Sequence, residues 1–534
     1  MIVRRALVVV LLAAGAPGVR AEVTAGAVLH FHYTDQRNLP SEQVLLDPGL
    51  RTFALRDYLL PAGADAFGST YAALRFEGDH LGGDLRWTLR LDTGVVRNQR
   101  YPALAEVCSS AVSPTGLAIP GAGLCTPLRA GQRIQFYTLE TSAPGAVQLT
   151  SNGRPVADEV RQTLLVREAF VSYAFGRAGF ATVRAGRRRA IVADGFVYDD
   201  YATGAELALD LGAIGPPLLV TASAFQPTRD LPSSVAGISP LLVLRLDWLP
   251  SLFEHAGVFA AFHRDRTGSI AELFRSSIEE RGVAALAQAD EGTAAYRAAA
   301  NTLANVLDRA MTSDARSLWA GTTGSLAAWR GGRLGWTGAL LAGRVDRVGA
   351  GPGGATLVAE DVRTRGGLAS LRAEQGIGDA VTVDASFLWL SGGHFPGSLG
   401  GAPATGTYGG FLGLSPYVTA TNLFFQGGLD DAYEARQATA PGIDGRGVLA
   451  PVAGIVVHPW PALALDARAA WLRADRRGPT GGFVYGTETD LEASWSPRRW
   501  VALGAEVDAL WPGDFFTGRA TMFRAIAALD LVFE

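Results

Sequence analysis

Short segments in which apolar and polar residues strictly alternate recur along the whole chain. In residues 84–92, Leu85, Trp87, Leu89 and Leu91 share one side, and hydroxyl and charged residues share the other. Successive side chains of a strand point to opposite faces. The same arrangement returns near positions 206, 245, 466, 488 and 506. One apolar face and one charged face, repeated, is typical of a transmembrane barrel with a polar interior.

The spacing of these segments predicts an antiparallel all-β barrel of about 18 strands, with 16 to 20 compatible. The expected strands begin near positions 26, 69, 84, 163, 179, 203, 217, 240, 255, 317, 333, 363, 379, 446, 461, 482, 499 and 521. Connections alternate between short turns and long loops. The long ones are expected at 34–68, 96–162, 188–202, 227–239, 265–316, 346–362 and 392–445. Bacterial barrels have short periplasmic turns, so both termini are expected in the periplasm.

The last predicted strand, residues 521–533, shows the alternation especially clearly. Phe523 and Phe533 bound its apolar, outward face, whereas Arg524 and Asp530 are expected to face inward. An aromatic residue at the end of the lipid face is typical of the aromatic girdle of outer-membrane barrels.

The N-terminal residues 1–21 are typical of a secretory signal peptide. Arg4 and Arg5 precede an apolar run at 6–16, and Val19 and Ala21 offer small residues for cleavage. The alternative is an uncleaved anchor, although the run is shorter than the ~20 residues of a transmembrane helix. We therefore expect an exported chain whose residues 22–534 form a single outer-membrane barrel.

Composition agrees with an exterior that does not face water. Charged residues make up 18% of the 534 residues, below the roughly 25% of soluble proteins. All 47 basic residues are Arg, and the net charge is −4. This composition excludes a disordered chain and a general nucleic-acid binder. A soluble multidomain β protein is a remote alternative.

Two regions depart from the strand pattern. Cys108 and Cys125, the two cysteines, lie in one loop and in an exported protein are expected to form a disulfide, with free thiols as the alternative. Residues 266–313 repeat apolar positions at helical spacing, and Ser269 with Glu272 has capping-box spacing. We expect a helical hairpin inserted in an extracellular loop, either a lid over the pore or a cap that stabilises the rim.

Charged residues on the predicted inward faces form the main candidate site, a pore lining. The expected lining residues are Arg75, Glu77, Arg86, Arg90, Asp92, Arg184, Arg187, Arg245, Asp247, Arg468, Arg473 and Glu506. Arginine along a pore favours anions, because guanidinium is always charged and binds carboxylates in a bidentate manner. The alternative is that arginines and carboxylates pair across neighbouring strands and simply occupy the lumen.

We find no catalytic motif, and the sequence therefore predicts a non-enzyme without cofactors. It contains no HExxH, GxSxG or phosphate-binding loop. His30 and His32 share a strand face and could ligate a metal, but such a pair more often lines a polar lumen. No metal site is predicted from the sequence.

Three stretches carry a resemblance to the alginate-export group of outer-membrane proteins and related 18-stranded porins. They are VREAFVSY at 166–173 with VRAGRR at 183–188, GLSP at 413–416 with TNLFF at 421–425, and GAEVD at 504–508 with WPGDFF at 511–516. The resemblance implies passive export of an acidic polysaccharide through an Arg-rich lumen. It also implies inner-membrane or periplasmic export machinery as a partner.

The sequence thus predicts an outer-membrane channel for an anionic polysaccharide or small anionic solutes, embedded in outer-membrane lipid. The alternative is a structural, adhesion or receptor barrel whose own loops close the pore. A continuous open path through the lumen would favour the channel, and a blocked path the alternative.

Overall fold

The structure is a computed structural model of the 534-residue chain. It describes residues 22–37, 44–47, 52–55, 65–80, 84–97, 137–143, 146–151, 154–155, 159–176, 179–213, 215–227, 239–251, 253–266, 270, 311–350, 356–394, 403–414, 420–425, 441–442, 445–478, 481–515 and 521–533.

Eighteen long strands in this part of the chain form one antiparallel sheet. In chain order they are β1 Glu22–Arg37, β2 Asp65–His80, β3 Leu85–Arg97, β4 Glu159–Phe175, β5 Ala181–Val192, β6 Tyr198–Asp210, β7 Leu218–Pro227, β8 Leu241–Ser251, β9 Glu254–Asp265, β10 Met311–Trp329, β11 Gly332–Ala350, β12 Thr356–Ile377, β13 Val381–Leu390, β14 Val448–Trp460, β15 Leu463–Arg473, β16 Val484–Arg498, β17 Val501–Pro512 and β18 Met522–Phe533. Each strand pairs with the next along the chain.

The sheet closes into a barrel because the first and last strands also pair. Ala27 lies opposite Phe533, and the β1–β18 register continues to Arg37 opposite Phe523. The predicted barrel and its eighteen strands are confirmed. The largest difference in a strand start is at β12, which begins at Thr356 and not near 363.

Eight short turns lie at one rim of the barrel. They join β2 to β3, β4 to β5, and so on to β16 and β17, at the eight positions where the sequence predicts short connections. Glu22 at the start of β1 lies opposite Asp79 near one of these turns, and Val532 near the end of β18 lies opposite Val28. β1 therefore begins, and β18 ends, at the short-turn rim.

Two of the expected long loops are wrong. β5 and β6 continue their pairing to Val192 opposite Tyr198, so residues 188–202 are mostly strand and the connection is 193–197. β11 and β12 likewise extend to Ala350 and Thr356, which shortens the expected loop 346–362. In both cases the strands continue past the point at which the apolar–polar alternation weakens.

Shorter strands complete the described fold. The strand Ala404–Tyr408 pairs in parallel with residues 359–364 of β12. These residues precede the part of β12 that pairs with the short strand β13. Two further small sheets consist of five segments: Val44–Asp47 with Thr52–Leu55, and Tyr137–Ala143 with Ala146–Ser151 and Arg154–Pro155.

Some predictions fall where the structure gives no description. Residues 1–21 and both cysteines, Cys108 and Cys125, lie outside the described residues. The same holds for the expected helical hairpin at 266–313, apart from Arg266, a helical and buried Ile270, and residues 311–313, which belong to β10. No helix among the described residues is long and apolar enough to cross a membrane.

The two faces of the wall differ in chemistry as the alternation predicts. On β8, Leu244, Leu246 and Trp248 are exposed, whereas Asp247 between them is buried. In a closed sheet of one layer, a wall side chain is shielded from solvent only where it points into the interior. The buried polar face is therefore the inside of the barrel, and the exposed apolar face is the outside.

A belt of exposed aromatic side chains follows the short-turn rim on the outer face. It consists of Tyr173, Phe175, Trp248, Phe253, Trp329, Trp460, Trp495 and Trp500. Phe253 and Trp500 lie in short turns, and each of the others lies at or near the end of a strand beside one. Amphipathic aromatic rings concentrate at the boundary between hydrocarbon and lipid headgroups. The belt is the arrangement expected of a barrel whose outer face contacts lipid.

The upper part of the β5–β6 hairpin leaves the wall. Pairing between β4 and β5 stops at Ala169 opposite Arg187, while β5 and β6 remain paired for five more residues. We call residues 188–202 the hairpin tip. Its turn residue Asp194 accepts a hydrogen bond from the Thr337 hydroxyl on β11, five strands away from β6. The tip therefore projects across the interior.

Two facing glycines mark the bend at the base of the hairpin tip. Gly186 lies opposite Gly204, and its φ of 129° belongs to the region that favours glycine. A Cβ on Gly186 would stand 2.2 Å from the carbonyl oxygen of Ala169. Glycine inside a strand often marks such a bend or close backbone approach. These two residues let the hairpin turn inward against its neighbours.

We predict that Gly186→Ala destabilises the barrel by about 1–3 kcal/mol, because the new methyl group meets backbone atoms and the φ angle is strained. Urea unfolding of the protein in lipid vesicles, followed by tryptophan fluorescence, measures the change. Gly215→Ala is the matched control, since nothing lies within 4 Å of its added Cβ. Equal stability of the two variants would contradict the assigned bend.

Candidate functional site

The inner face of β3 and β4 holds a compact charged cluster. The Arg90 guanidinium donates to Asp92 at 2.9 Å, and Arg167 donates to the other oxygen of Asp92 at 3.0 Å. Arg167 and Asp92 are both buried. A register shift in the β3–β4 ladder near Arg90 leaves Arg167 without a cross-strand partner, and a bulge of this kind redirects a side chain. The bulge turns Arg167 toward Asp92.

A second cluster follows on β5 and β6. The Glu206 carboxylate accepts a hydrogen bond from Arg184 at 2.6 Å and another from Arg188. The Arg188 guanidinium also lies 5.0 Å from the centre of the Phe225 ring, in cation–π geometry. Two arginines thus share one carboxylate here, and the local charge is positive.

The hairpin tip covers the first cluster. The Tyr201 hydroxyl lies 3.4 Å from an Arg90 nitrogen, and the Arg167 guanidinium is 5.6 Å from the centre of the Tyr201 ring. On the same side of the tip, Arg189 pairs with Asp199 through two bonds of 2.6 and 2.8 Å. One side of the tip therefore faces the arginines of β3 and β4.

The other side of the hairpin tip packs into an apolar cluster inside the barrel. Val192 and Tyr198 of the tip are at most 1% exposed, and Trp319 of β10 is fully buried. The Trp319 indole donates to the Leu412 carbonyl at 2.8 Å, and the Leu414 amide donates to the Val197 carbonyl at 2.8 Å. Residues 409–414 thus fold inward and meet the tip.

Acidic residues dominate the inner face of β16 and β17. Glu488, Asp490, Glu506 and Asp508 are all buried, and Asp490 lies directly opposite Asp508. Like charges opposite each other destabilise a sheet. Arg524 on β18 compensates, because it donates to Glu506 at 2.7 Å and to Asp508 at 3.0 Å.

Residues 420–425, a further inward segment, are held by these carboxylates. The Leu423 and Phe424 amides donate to Glu488 at 2.6 and 3.1 Å, and the Asn422 amide donates to Asp490 at 3.3 Å. The Asn422 side chain donates to Asp508 at 3.1 Å. Successive backbone amides converging on carboxylates form an anion-binding concavity. The segment is therefore fastened to the wall.

Most of the predicted lining residues occur in ion pairs. The arginine-to-carboxylate distances are 2.7 Å for Arg75–Glu77, 2.9 Å for Arg90–Asp92, 2.6 Å for Arg184–Glu206, 3.1 Å for Arg245–Asp247, 2.7 Å for Arg468–Asp466 and 2.7 Å for Arg524–Glu506. Two of these pairs, Arg184–Glu206 and Arg524–Glu506, join neighbouring strands, which is the pairing that the sequence leaves open as an alternative. The other four join residues two positions apart on one strand. Paired arginines offer a solute less net charge than isolated ones.

Three predicted lining residues lie differently. Arg86 is exposed at the short-turn end of β3. Arg187 lies on the opposite side of β5 from Arg184 and Arg188, because side chains alternate along an unbroken register. Arg473, at the end of β15, stacks on Phe483 with 4.7 Å between guanidinium and ring centre.

Sequence reasoning missed several residues of the interior. Arg167 lies at a bulge, where strict alternation fails. Asn422 and Tyr201 lie in segments that the pattern assigns to loops. Asn422 follows a Thr and precedes three apolar residues, which gives no signal of contacts with strands 65 or more positions away. Of the described residues, His30, His32 and Asp530 form a group with ligand atoms close enough for one metal ion.

The fold is similar to that of three solved Pseudomonas proteins. A BenF-like porin from Pseudomonas fluorescens Pf-5 is 8% identical with a TM-score of 0.48, covering 96% of this chain and 98% of that one. OprD from Pseudomonas aeruginosa is 11% identical with a TM-score of 0.43, covering 97% and 96%. OpdK from the same species, solved with vanillate, is 11% identical with a TM-score of 0.45, covering 96% and 98%.

No family model and no curated protein matches the sequence. The resemblance to the alginate-export group rests on its short motifs alone.

We predict that Arg524→Met lowers the free energy of unfolding by about 3–5 kcal/mol, because it leaves Glu506 and Asp508 buried without their cation. Arg75→Met is the matched control: its pair with Glu77 is about half exposed, and such pairs contribute about 0–1 kcal/mol. Urea unfolding in vesicles measures both. A small effect at Arg524 would show that the acidic cluster does not need this cation.

Proposed function

We propose that the chain is an outer-membrane channel through which small polar solutes, carboxylates first among them, diffuse passively. The observation that carries the proposal is the closed 18-strand wall with an apolar outer face and a charged inner face. Barrels of 16–18 strands are wide enough for an aqueous channel. The aromatic belt at the short-turn rim supports placement in a membrane.

Arginines of β3 to β5 supply the preference for carboxylates. Arg184 and Arg188 share Glu206, and Arg90 and Arg167 share Asp92. At Glu206 the two guanidinium groups carry one more charge than the carboxylate that they share. At Asp92 a second carboxylate, Glu168, lies directly opposite Arg90, so the excess of positive charge is at Glu206. A low-dielectric wall focuses such a field on passing solutes and raises the local concentration of anions. The predicted lining arginines are proposed to attract anionic solutes in this way.

The inward segments favour small solutes over a polysaccharide. The hairpin tip reaches from β5 and β6 to Thr337, and residues 409–414 meet it through the Leu414–Val197 hydrogen bond. Together they occupy part of the barrel's cross-section with packed apolar side chains. Polysaccharide export through a wide arginine-lined lumen therefore has less support. Inner-membrane or periplasmic export machinery as a partner has less support for the same reason.

A barrel closed by its own segments is the second candidate, and the same apolar cluster favours it. Tyr408 and Trp319 are fully buried inside the wall, as a plug would require. A structural, adhesion or receptor role would then lie in the loops. Conductance distinguishes the two candidates.

Further features of the sequence enter as proposals. Residues 1–21 act as a cleaved export signal, and the Cys108–Cys125 disulfide closes the loop between β3 and β4. The helical insertion within 266–313 lies over the rim opposite the short turns. Outer-membrane lipid surrounds the barrel, and both termini face the periplasm.

Planar-bilayer recording of the refolded full chain tests the proposal. We expect stable ohmic conductance steps with a preference for anions. A correctly folded barrel, verified by heat-modifiable migration in detergent, that shows no conductance would favour the closed barrel instead.

We predict that Arg86→Gln with Arg90→Gln shifts the reversal potential in a salt gradient toward cations and lowers conductance for small carboxylates roughly twofold or more. Asp92 keeps Arg167 as its partner, and the fold is expected to persist. Arg499→Gln, at the exposed β16–β17 turn, removes an arginine away from the lumen as a control. An unchanged reversal potential in the double variant would show that these two arginines do not determine ion selectivity.

A further inference from the structure

The seam at which the barrel closes carries two histidines and a carboxylate on its inner face. On β1, Phe31 and Tyr33 are exposed on the outer side, so His30 and His32 point inward by alternation. Asp530 on β18 is the direct cross-strand partner of His30. The three side chains come from the first and last strands of the chain.

The three side chains are close enough to share one ion. The nearest ligand atoms of His30, His32 and Asp530 all lie within 4.8 Å of one another. The two imidazole rings stand edge to face with 6.1 Å between centres. Ligands around a tetrahedral zinc ion at ~2.1 Å lie about 3.4 Å apart. Side-chain rotations that move the atoms by about 1 Å would bring all three to a common centre.

Access and space permit that movement. The His30 and Asp530 side chains are 21% and 34% exposed, so water and ions reach them from the interior. Small residues surround His32 on the adjoining strands, because its cross-strand partner is Ala528 and the next residue in that row is Gly504. A bulky neighbour in this row would have closed the space beside the imidazole.

The existing contact between His30 and Asp530 prepares the group for metal. His30 Nδ1 is hydrogen-bonded to the Asp530 carboxylate, which favours the tautomer with Nε2 available as a ligand. An ion can take Asp530 as its third ligand or leave it bonded to His30 as the orienting group. Imidazole nitrogen selects Zn²⁺, Cu²⁺ and Ni²⁺ over Ca²⁺ and Mg²⁺.

We propose that His30, His32 and Asp530 form a binding site for one divalent transition-metal ion of the Zn²⁺ class, bridging β1 and β18 at the barrel seam. The site does not depend on solute transport, so its test is independent of the test of the channel. Because the folded barrel brings the ligands together and the unfolded chain does not, the ion stabilises the closed barrel.

Zn²⁺ titration of the untagged, refolded full chain tests the site by competition with a chromophoric chelator. We expect about one Zn²⁺ per chain, and a dissociation constant at least roughly tenfold weaker in His32→Gln and in Asp530→Asn. Those two variants keep side-chain size and polarity, so the barrel is expected to fold, and heat-modifiable migration confirms it. His458→Gln, an exposed histidine on β14, should bind like the parent chain.

A second readout separates this site from surface binding. Zn²⁺ should raise the temperature at which the folded band converts to the unfolded one in the parent chain and in His458→Gln, and not in His32→Gln. The electron paramagnetic resonance spectrum of bound Cu²⁺ should show two coupled nitrogens. No Zn²⁺ uptake by the parent chain, equal affinity in His32→Gln, or loss of binding in His458→Gln would overturn the proposal.

Discussion

Closure of the sheet is the constraint on which the rest of the structure depends. Pairing of β1 with β18, from Ala27 opposite Phe533 to Arg37 opposite Phe523, joins the first and last strands, so neither of them is an edge of the sheet. Backbone N–H and C=O groups in a hydrocarbon layer must be paired internally, and only helices and closed barrels meet that requirement. Closure also separates two environments, since every second side chain then faces an enclosed interior and the remainder face outward.

The enclosed interior explains why buried charge is tolerated on these strands. Glu506 and Asp508 are covered almost completely, yet Arg524 and the amides of residues 422–424 lie within hydrogen-bonding reach of the acidic group. Buried charges persist where they are paired and hydrogen-bonded. The same carboxylates hold an inward segment, and the arginines of β3 and β4 face the hairpin tip. The charged side chains of the wall therefore also hold the inward segments in place.

Alternation predicts the wall well because every strand repeats the same two-residue period. It identifies all eighteen strands, the eight short turns and the inward orientation of Arg524 and Asp530. It does not predict the hairpin tip, because the apolar–polar alternation weakens within residues 188–202 and does not show whether the strands continue, stay in the wall or leave it. The bend depends on Gly186 and Gly204 meeting across two strands. Likewise, the His30–Asp530 pair joins residues 500 positions apart, which only closure brings together.

The central claim is that the barrel encloses a conducting path narrowed by its own inward segments. Exclusion of neutral polymers of graded size from the single-channel current tests it most directly. We expect that ions pass while polymers much narrower than the barrel's interior are already excluded, because the hairpin tip and residues 409–414 occupy part of the cross-section. Entry of polymers nearly as wide as the barrel, or absence of any current through the folded protein, would contradict it.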